Sequence, residues 1–475
     1  MGNPRPALIH RASADDVLQL AVDRGGRVPM VIGALLVLDG PTRPTRPTRP
    51  TPDAVRSLVL ERAASVPRLS QRLVTVPLGA GRPVWVGAGA DAVDACVDSV
   101  VVDPGIGVEH GSGLRDPDGL RTLLDALADL ALTRMPLSGP LWRVRLIVAP
   151  GGGVTALALV AHHVLADGLG GLAVLAALAD GAGGAGSEPG AGIRPPATVG
   201  GLPAWRVLAE DAWTERWTMV RGRGRAGGTR PPGRRLGSGL RELGVRGRPR
   251  LADRCSLLGA TGSARRVEYV HVDLAALRAG ARAQGATVND VVVTAVTGAL
   301  VALLARRGEG VRELVVSMPV SRREARDAGA LGNETGVVPV RVPAVPEHER
   351  RLAALVEARA RVRSAGRGSS ATVLTPAFRA LAGVGAFQVF IDHQRLVHTF
   401  VTNVRGPAER LAIAGAPVGL VVPLALNPGN VAVSFDVLSY AGRLGVTLVC
   451  DPVLVPESGW LAGHVAAELS AFCPQ

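Results

Sequence analysis

A chain of 475 residues is too long for one ordinary core, so two subdomains are expected. Aromatics supply only 3% of the residues and apolar side chains 47%, so Ala, Val and Leu must build the interior; long apolar blocks of period 2 and 3.6 exclude a disordered chain. All 53 basic residues are arginine, and the formal charge of +13 points to an anionic partner, whether nucleic acid, phospholipid surface or phosphorylated small molecule, without choosing among them.

In chain order, the N-terminal residues 1–6 lack the apolar stretch of a signal peptide. Residues 28–38 read as a strand, 41–52 as an extended Pro-Thr-Arg repeat, and 54–64 and 120–133 as helices. Strands over 142–148 and 154–161 are joined by Gly151, Gly152 and Gly153, and an apolar helix follows over 172–179. Residues 181–196 are Gly/Ala/Pro-rich and read as a flexible connector. Trp205, Trp213 and Trp217, at spacings of eight and four, could place two rings on one helical face and are expected to pack; residues 221–250, with ten arginines, read as a mobile loop or inter-lobe linker. Beyond it, 267–272 is a strand, 274–284 an amphipathic helix and 287–306 a buried helix, followed by strands at 314–319, 337–342, 418–422, 431–438 and 444–449. The longest apolar run, 291–305, contains two Thr and a Gly and is short for a bilayer, so the chain is expected to be soluble or peripheral. Helices and strands mix in both halves, which predicts an α/β sandwich of two lobes: residues 1–200, a linker at 201–262, and 263–475. Cys96, Cys255, Cys450 and Cys473 are far apart with no C-x-x-C pair, which fits neither a disulfide framework nor a zinc site and favours a reducing cytoplasm.

The chemistry concentrates after the strand at 154–161, which is apolar on both faces. His162 and His163 follow, then Asp167 and Gly168, Gly170 and Gly171. Ligand crevices in α/β sheets open where strands end, and an imidazole there can accept a proton near neutral pH while a carboxylate fixes its loop. The plainer reading has one histidine bonded in the core and Asp167 capping the next helix. A metal site is disfavoured, because the pair lacks the spacing and further ligands of zinc.

His162-His163-x-x-x-Asp167-Gly168 resembles the signature of the chloramphenicol-acetyltransferase-like superfamily of CoA-dependent acyltransferases and condensation domains. More closely, the chain resembles the bacterial wax ester synthase/diacylglycerol acyltransferase family. Pro140-Leu141-Trp142, Asn289-Asp290, Pro319-Val320-Ser321 with Arg323, Gly332-Asn333, the turn from Thr402-Asn403 to Gly406-Pro407, and Leu438-Ser439-Tyr440-Ala441-Gly442 match its elements in order. Leu257-Leu258-Gly259, Arg405 and Ser434 depart from its pattern, as does the segment 12–17.

The resemblance implies two chloramphenicol-acetyltransferase-like lobes with an active-site tunnel between them. It implies transfer of a long-chain acyl group from acyl-CoA, as co-substrate, to diacylglycerol or a fatty alcohol, with His163 as general base, His162 beside it, no covalent intermediate and no bound cofactor or metal. It also implies that Asp167 pairs with an arginine, for which Arg68 and Arg72 are candidates. Thr402 and Asn403 are candidates for the oxyanion. Asn289 is left to face the channel, while Asp290 fits a capping box with Thr287. Pro140, Trp142 and Gly168 are read as structural. His110, His271, His348, His393, His398 and His464 stand singly as surface or core residues. The arginine tract lacks aromatics for base stacking, so nucleic acid is not expected as a partner. A solvated linker is the first reading of that tract, and contact with a membrane or lipid-droplet surface the second. A sugar, polyketide or carrier-bound acceptor, or a non-catalytic lipid-binding role, are the alternatives. The expected location is cytoplasmic, peripheral at the inner face of the plasma membrane.

Overall fold

The computed structural model describes residues 9–40, 49–103, 117–165, 168–180, 201–225, 251–321, 335–365, 381, 386–427 and 429–474. The first half runs α1 (Ala14–Gly25), β1 (Val31–Leu38), α2 (Pro52–Ser65), a 3-10 turn (Pro67–Ser70), β2 (Gln71–Val74), β3 (Val84–Gly87), α3 (Ala90–Asp94), β4 (Val97–Val101), α4 (Pro117–Leu132), β5 (Trp142–Val148), β6 (Val154–His162), α5 (Gly168–Leu178) and α6 (Trp205–Arg225). The second runs β7 (Arg266–Asp273), α7 (Leu274–Ala283), α8 (Val288–Arg306), β8 (Glu313–Ser321), β9 (Thr335–Pro343), α9 (His348–Ala365), α10 (Phe387–Asp392), β10 (Thr399–Arg405), β11 (Ala412–Ile413), β12 (Ala416–Ala425), β13 (Val433–Tyr440), β14 (Arg443–Cys450) and α11 (Ser458–Ser470).

Two six-stranded sheets and the two-stranded sheet β2-β3 carry these elements, giving the two-lobed α/β fold expected. The first has the order β11-β12-β1-β6-β5-β4. Its β6 is buried at every position because β1 and β5 flank it on both sides, which is what an uninterrupted apolar run requires. Gly33 of β1 is needed at this junction: a Cβ there would lie 2.4 Å from the Leu159 carbonyl oxygen. The second sheet has the order β7-β14-β13-β10-β8-β9, with β10 parallel to both neighbours. Val433, Phe435 and Val437 of β13 join the core built by α8 and α11. The alternating Ser434, Asp436, Leu438 and Tyr440 turn the other way, and Leu438 and Tyr440 enter the core of the first sheet.

Three features differ from the sequence reading. Strands β11 and β12 belong by sequence to the second lobe, yet they complete the first sheet, where β12 pairs along β1 from Ile32–Ala425 to Leu38–Val418. The span read as a linker opens with a 21-residue helix, α6, whose Leu208 and Ala212 are buried. The family-like stretch at Thr402 and Asn403, read as a turn, is strand β10, and only Gly406 and Pro407 leave it. Helix α8 is long and apolar enough to cross a bilayer, but it lies mostly buried in the second core. The proline repeat at 41–48, the connector at 181–196, and residues 226–250 of the arginine tract lie outside the described residues.

Candidate active site

Strand β6 delivers two adjacent histidines to its end, and the pleat sends them apart. His162 is 2% exposed, whereas His163 is half-buried. His162 N donates to Leu141 O at 2.8 Å, and its ring Nδ1 accepts from Val164 N at 3.1 Å. With Nδ1 acting as acceptor, a neutral ring carries its proton on Nε2. That buried nitrogen has no hydrogen-bond partner, and Asp23 Oδ1 stands 3.7 Å away, too far for a hydrogen bond. His162 is therefore locked as a structural ring. His163 N donates to Met30 O at 2.8 Å, and Met30 N donates to Asp23 Oδ1 at 2.9 Å. Both histidines are thus tied to the segment joining α1 to β1.

Asp23 was not singled out by the sequence. Burial pushes its carboxyl up, but the His162 ring, the Met30 N–H and Arg134 together hold it below the usual carboxylate range. Arg134 donates to the Asp23 carbonyl at 2.6 Å and also to that of Gly26, clamping the end of α1. The signal that could have found α1 was local: Ser13 and Asp16 form a complete capping box.

Across from this end, Thr402, Asp436, Thr447 and Tyr269 lie in one register row over β10, β13, β14 and β7. Asp436 is 3% exposed, and its Oδ2 accepts from Ala425 N of β12 at 2.7 Å. Burial pushes this carboxyl up to about 7, against the opposing pull of the Ala425 N–H and the Thr402 hydroxyl. Its Oδ1 and the Thr447 and Ser317 hydroxyls are buried without hydrogen-bond partners. The row reaches the histidines in few steps, since Leu426 N donates to Val31 O and Val31 pairs with His162.

Asn403 Nδ2 donates to Asn289 Oδ1 at 3.1 Å, which joins two residues the sequence left separate. Asp290 completes the capping box with Thr287 and also pairs with Arg359. Trp142 is buried and donates to Leu69 O at 2.7 Å, while Pro140 bridges to Arg72 of β2. Arg68 stacks over Trp85 at 4.3 Å, and burial lowers its guanidinium to about 10 against the pull of Asp16. Asp167, His110, Arg323, Gly332 and Asn333 lie outside the described residues, and Gly168 opens α5. Two family-like stretches meet: Ala441 N donates to Pro407 O at 3.1 Å, and a Cβ on Gly406 would lie 2.4 Å from Ser439 O. His398 is a core histidine, held by Val315 N and the Asp253 carbonyl. Trp205, Trp213 and Trp217, expected to pack, are more than half exposed. The four cysteines are free, and the described residues contain no cluster of three or more metal-ligating side chains.

Comparison with known proteins places these residues in context. The profile of the wax ester synthase/diacylglycerol acyltransferase catalytic domain matches residues 13–292, and that of the C-terminal domain matches 331–472. Proteins of Mycobacterium bovis and Mycobacterium tuberculosis named diacylglycerol O-acyltransferases are each 27% identical over 462 residues, covering 95% of this chain and 93% of theirs. A wax ester synthase/diacylglycerol acyltransferase from Marinobacter aquaeolei superposes with a TM-score of 0.62 at 21% identity, covering 97% of this chain and 98% of that one. The first condensation domain of the calcium-dependent antibiotic synthetase shares the fold at a TM-score of 0.61 and 18% identity, over 99% and 98% of the two chains.

Proposed function

The chain belongs to the wax ester synthase/diacylglycerol acyltransferase family, and from that premise we propose that His163 is the general base of an acyl transfer from long-chain acyl-CoA to a lipid alcohol. The product is triacylglycerol from diacylglycerol, or a wax ester from a fatty alcohol. One observation carries the assignment to His163: the two rings at the end of β6 divide into a buried, doubly anchored His162 and a half-buried His163.

An alcohol is a poor nucleophile until a base removes its proton during attack on the thioester carbonyl. His163 takes that proton as the C–O bond forms. The tetrahedral oxyanion then collapses, the C–S bond breaks, and the thiolate leaving as CoA receives the proton back from His163. Acyl transfer is direct, so no acyl-enzyme forms. Thr402, in the register row with Asp436, is the proposed donor to the oxyanion, its hydroxyl turning to it from Asp436. The Asn289–Asn403 pair leaves amide hydrogens over for the acceptor and supports a polar grip at the same end. His162 positions its neighbour. Asp167 keeps the loop-holding role that the family resemblance gives it. The enzyme works at a cytoplasmic membrane or lipid-droplet surface, where its acceptor is dissolved.

The test is direct. Purified protein is given palmitoyl-CoA with diacylglycerol or hexadecanol in separate reactions, and free CoA and ester are measured together. Matched release of CoA and ester is expected. CoA release without ester, or neither, overturns the reading.

A further inference from the structure

Of the six tryptophans, Trp85 and Trp142 are buried and Trp460 is part-buried, stacking on His464 at 3.9 Å. The other three are on α6, where Trp205, Trp213 and Trp217 are 53%, 65% and 55% exposed. The helix cannot roll to hide them. Its opposite face is fixed on the β2–β3 hairpin by Leu208 and Ala212, by Arg11 donating to Asp211 at 2.7 Å and to the Leu208 carbonyl, and by Arg82 paired with Glu215. Trp205 Nε1 donates to the Leu78 carbonyl at 3.3 Å, and the Leu78 side chain at that hairpin tip is fully exposed. Leu202 and Val207 are exposed on the same segment, and a shallow groove runs between Trp205 and Trp213 over Ala209.

Charge selects what covers this patch. Two of the three acidic groups of α6, Asp211 and Glu215, are paired on its inner face, while Arg206 and Arg216 are exposed. Residues 221–250 then add ten arginines against a single acid, Glu242. Tryptophan rings prefer the headgroup level of a bilayer, and arginine adds attraction to anionic lipid. Apolar rings fixed outward on a helix that also exposes Arg206 and Arg216, in a chain of net charge +13, suit such a surface better than a neutral protein face.

We propose that the outer face of α6, with Trp205, Trp213, Trp217, Leu78, Arg206 and Arg216, docks the protein onto an anionic phospholipid surface. The inference deepens the lipid-alcohol reading by naming the element that brings the enzyme to its acceptor. The hairpin beneath α6 leads to the site: Arg72 of β2 bridges to Pro140, and Leu141 next to it accepts from His162 N. A surface held at α6 is thus mechanically close to the histidine end.

The experiment uses the full chain and vesicles without acyl-CoA or acceptor. Co-sedimentation and tryptophan emission are followed with vesicles of phosphatidylglycerol and phosphatidylcholine, and with phosphatidylcholine alone, at low and high salt. Wild type should bind the anionic vesicles with a blue-shifted emission, more weakly as salt rises. The triple variant Trp205→Ser/Trp213→Ser/Trp217→Ser should lose most of this binding while keeping its melting curve and its turnover on a short, dispersed alcohol. Each arginine near an anionic surface accounts for about a fivefold change, so Arg206→Gln/Arg216→Gln should bind roughly 25-fold more weakly. Vesicle binding by the triple variant equal to wild type overturns the proposal. So does an unchanged vesicle affinity in a variant that instead abolishes self-association, since the patch would then cover a second copy. Vesicle binding through the patch by a wild type that releases no CoA leaves docking intact and removes the acyl-transfer reading alone.

Discussion

The histidine end of β6 and the polar row opposite it are built to different standards. At the first, the backbone N–H groups of both histidines are held by Leu141 O and Met30 O, and the His162 ring is held by Val164 N with the Asp23 carboxylate, itself paired with Arg134, 3.7 Å away. At the second, the Oδ1 of Asp436 and the hydroxyl of Thr447 are buried with no hydrogen-bond partner, as is that of Ser317 on β8. An unsatisfied buried polar atom costs about 1–3 kcal/mol, so such atoms are uncommon in a wall made only for packing. The contrast separates a region finished for position from one that keeps spare hydrogen-bonding capacity.

The largest effect should come from the histidine end. His163→Ala is expected to lower kcat by about 10² to 10⁴ with an unchanged melting temperature. His162→Ala should behave in the opposite way. It removes a buried ring and the acceptor of the Val164 N–H, while Asp23 keeps Met30 N and Arg134, so it should cost about 3 kcal/mol in denaturant unfolding and lower kcat less than its neighbour. Equal loss of stability in both variants would erase the distinction between the two rings.

A smaller effect is expected from Asp436→Asn, read as melting temperature against pH. The folded-state pKa is raised to about 7, so the native protein keeps this carboxyl protonated where the unfolded chain has ionised it. Stability from that group is full below the ordinary carboxylate range and is lost as pH rises through about 7. Asparagine has no such loss and can still accept from Ala425 N. The variant should melt with wild type near pH 4, then progressively above it by several degrees up to pH 7, with a constant difference beyond. A difference independent of pH would mean that Asp436 is already ionised in the fold.

The smallest is Thr447→Val, which deletes an unpartnered buried hydroxyl at nearly constant volume. Stability should be unchanged or up to about 1 kcal/mol higher. Combined with a raised KM, that result would place the spare capacity in the substrate's path; with KM unchanged, the hydroxyl would serve neither packing nor binding.

The sequence carried these regions unequally. Strands β5 and β6 and the histidines were readable because a strand buried on both faces leaves an unbroken apolar signal. The Thr287–Asp290 cap was readable because its partners are three residues apart. Asp23, Asp436 and the Asn289–Asn403 pair were not, since their roles depend on contacts 139, 11 and 114 residues away along the chain. Thr402 was noticed but misplaced, because a short strand ending in Arg405-Gly406-Pro407 reads locally as a turn. The α6 tryptophans were read as packing because spacing reveals a helical face without revealing what lies opposite it.

The passage of β12 into the first sheet also has a consequence for synthesis. Until residue 425 has left the ribosome, β1 has a partner on one side only, and seven of its positions, five of them Ile, Leu or Val, present an open edge. The site-bearing half must therefore wait, nearly complete, for a strand encoded more than 380 residues after β1. During that interval it is open to any extended chain that can add to the edge, and premature termination before β12 should yield an aggregating product rather than a smaller working enzyme.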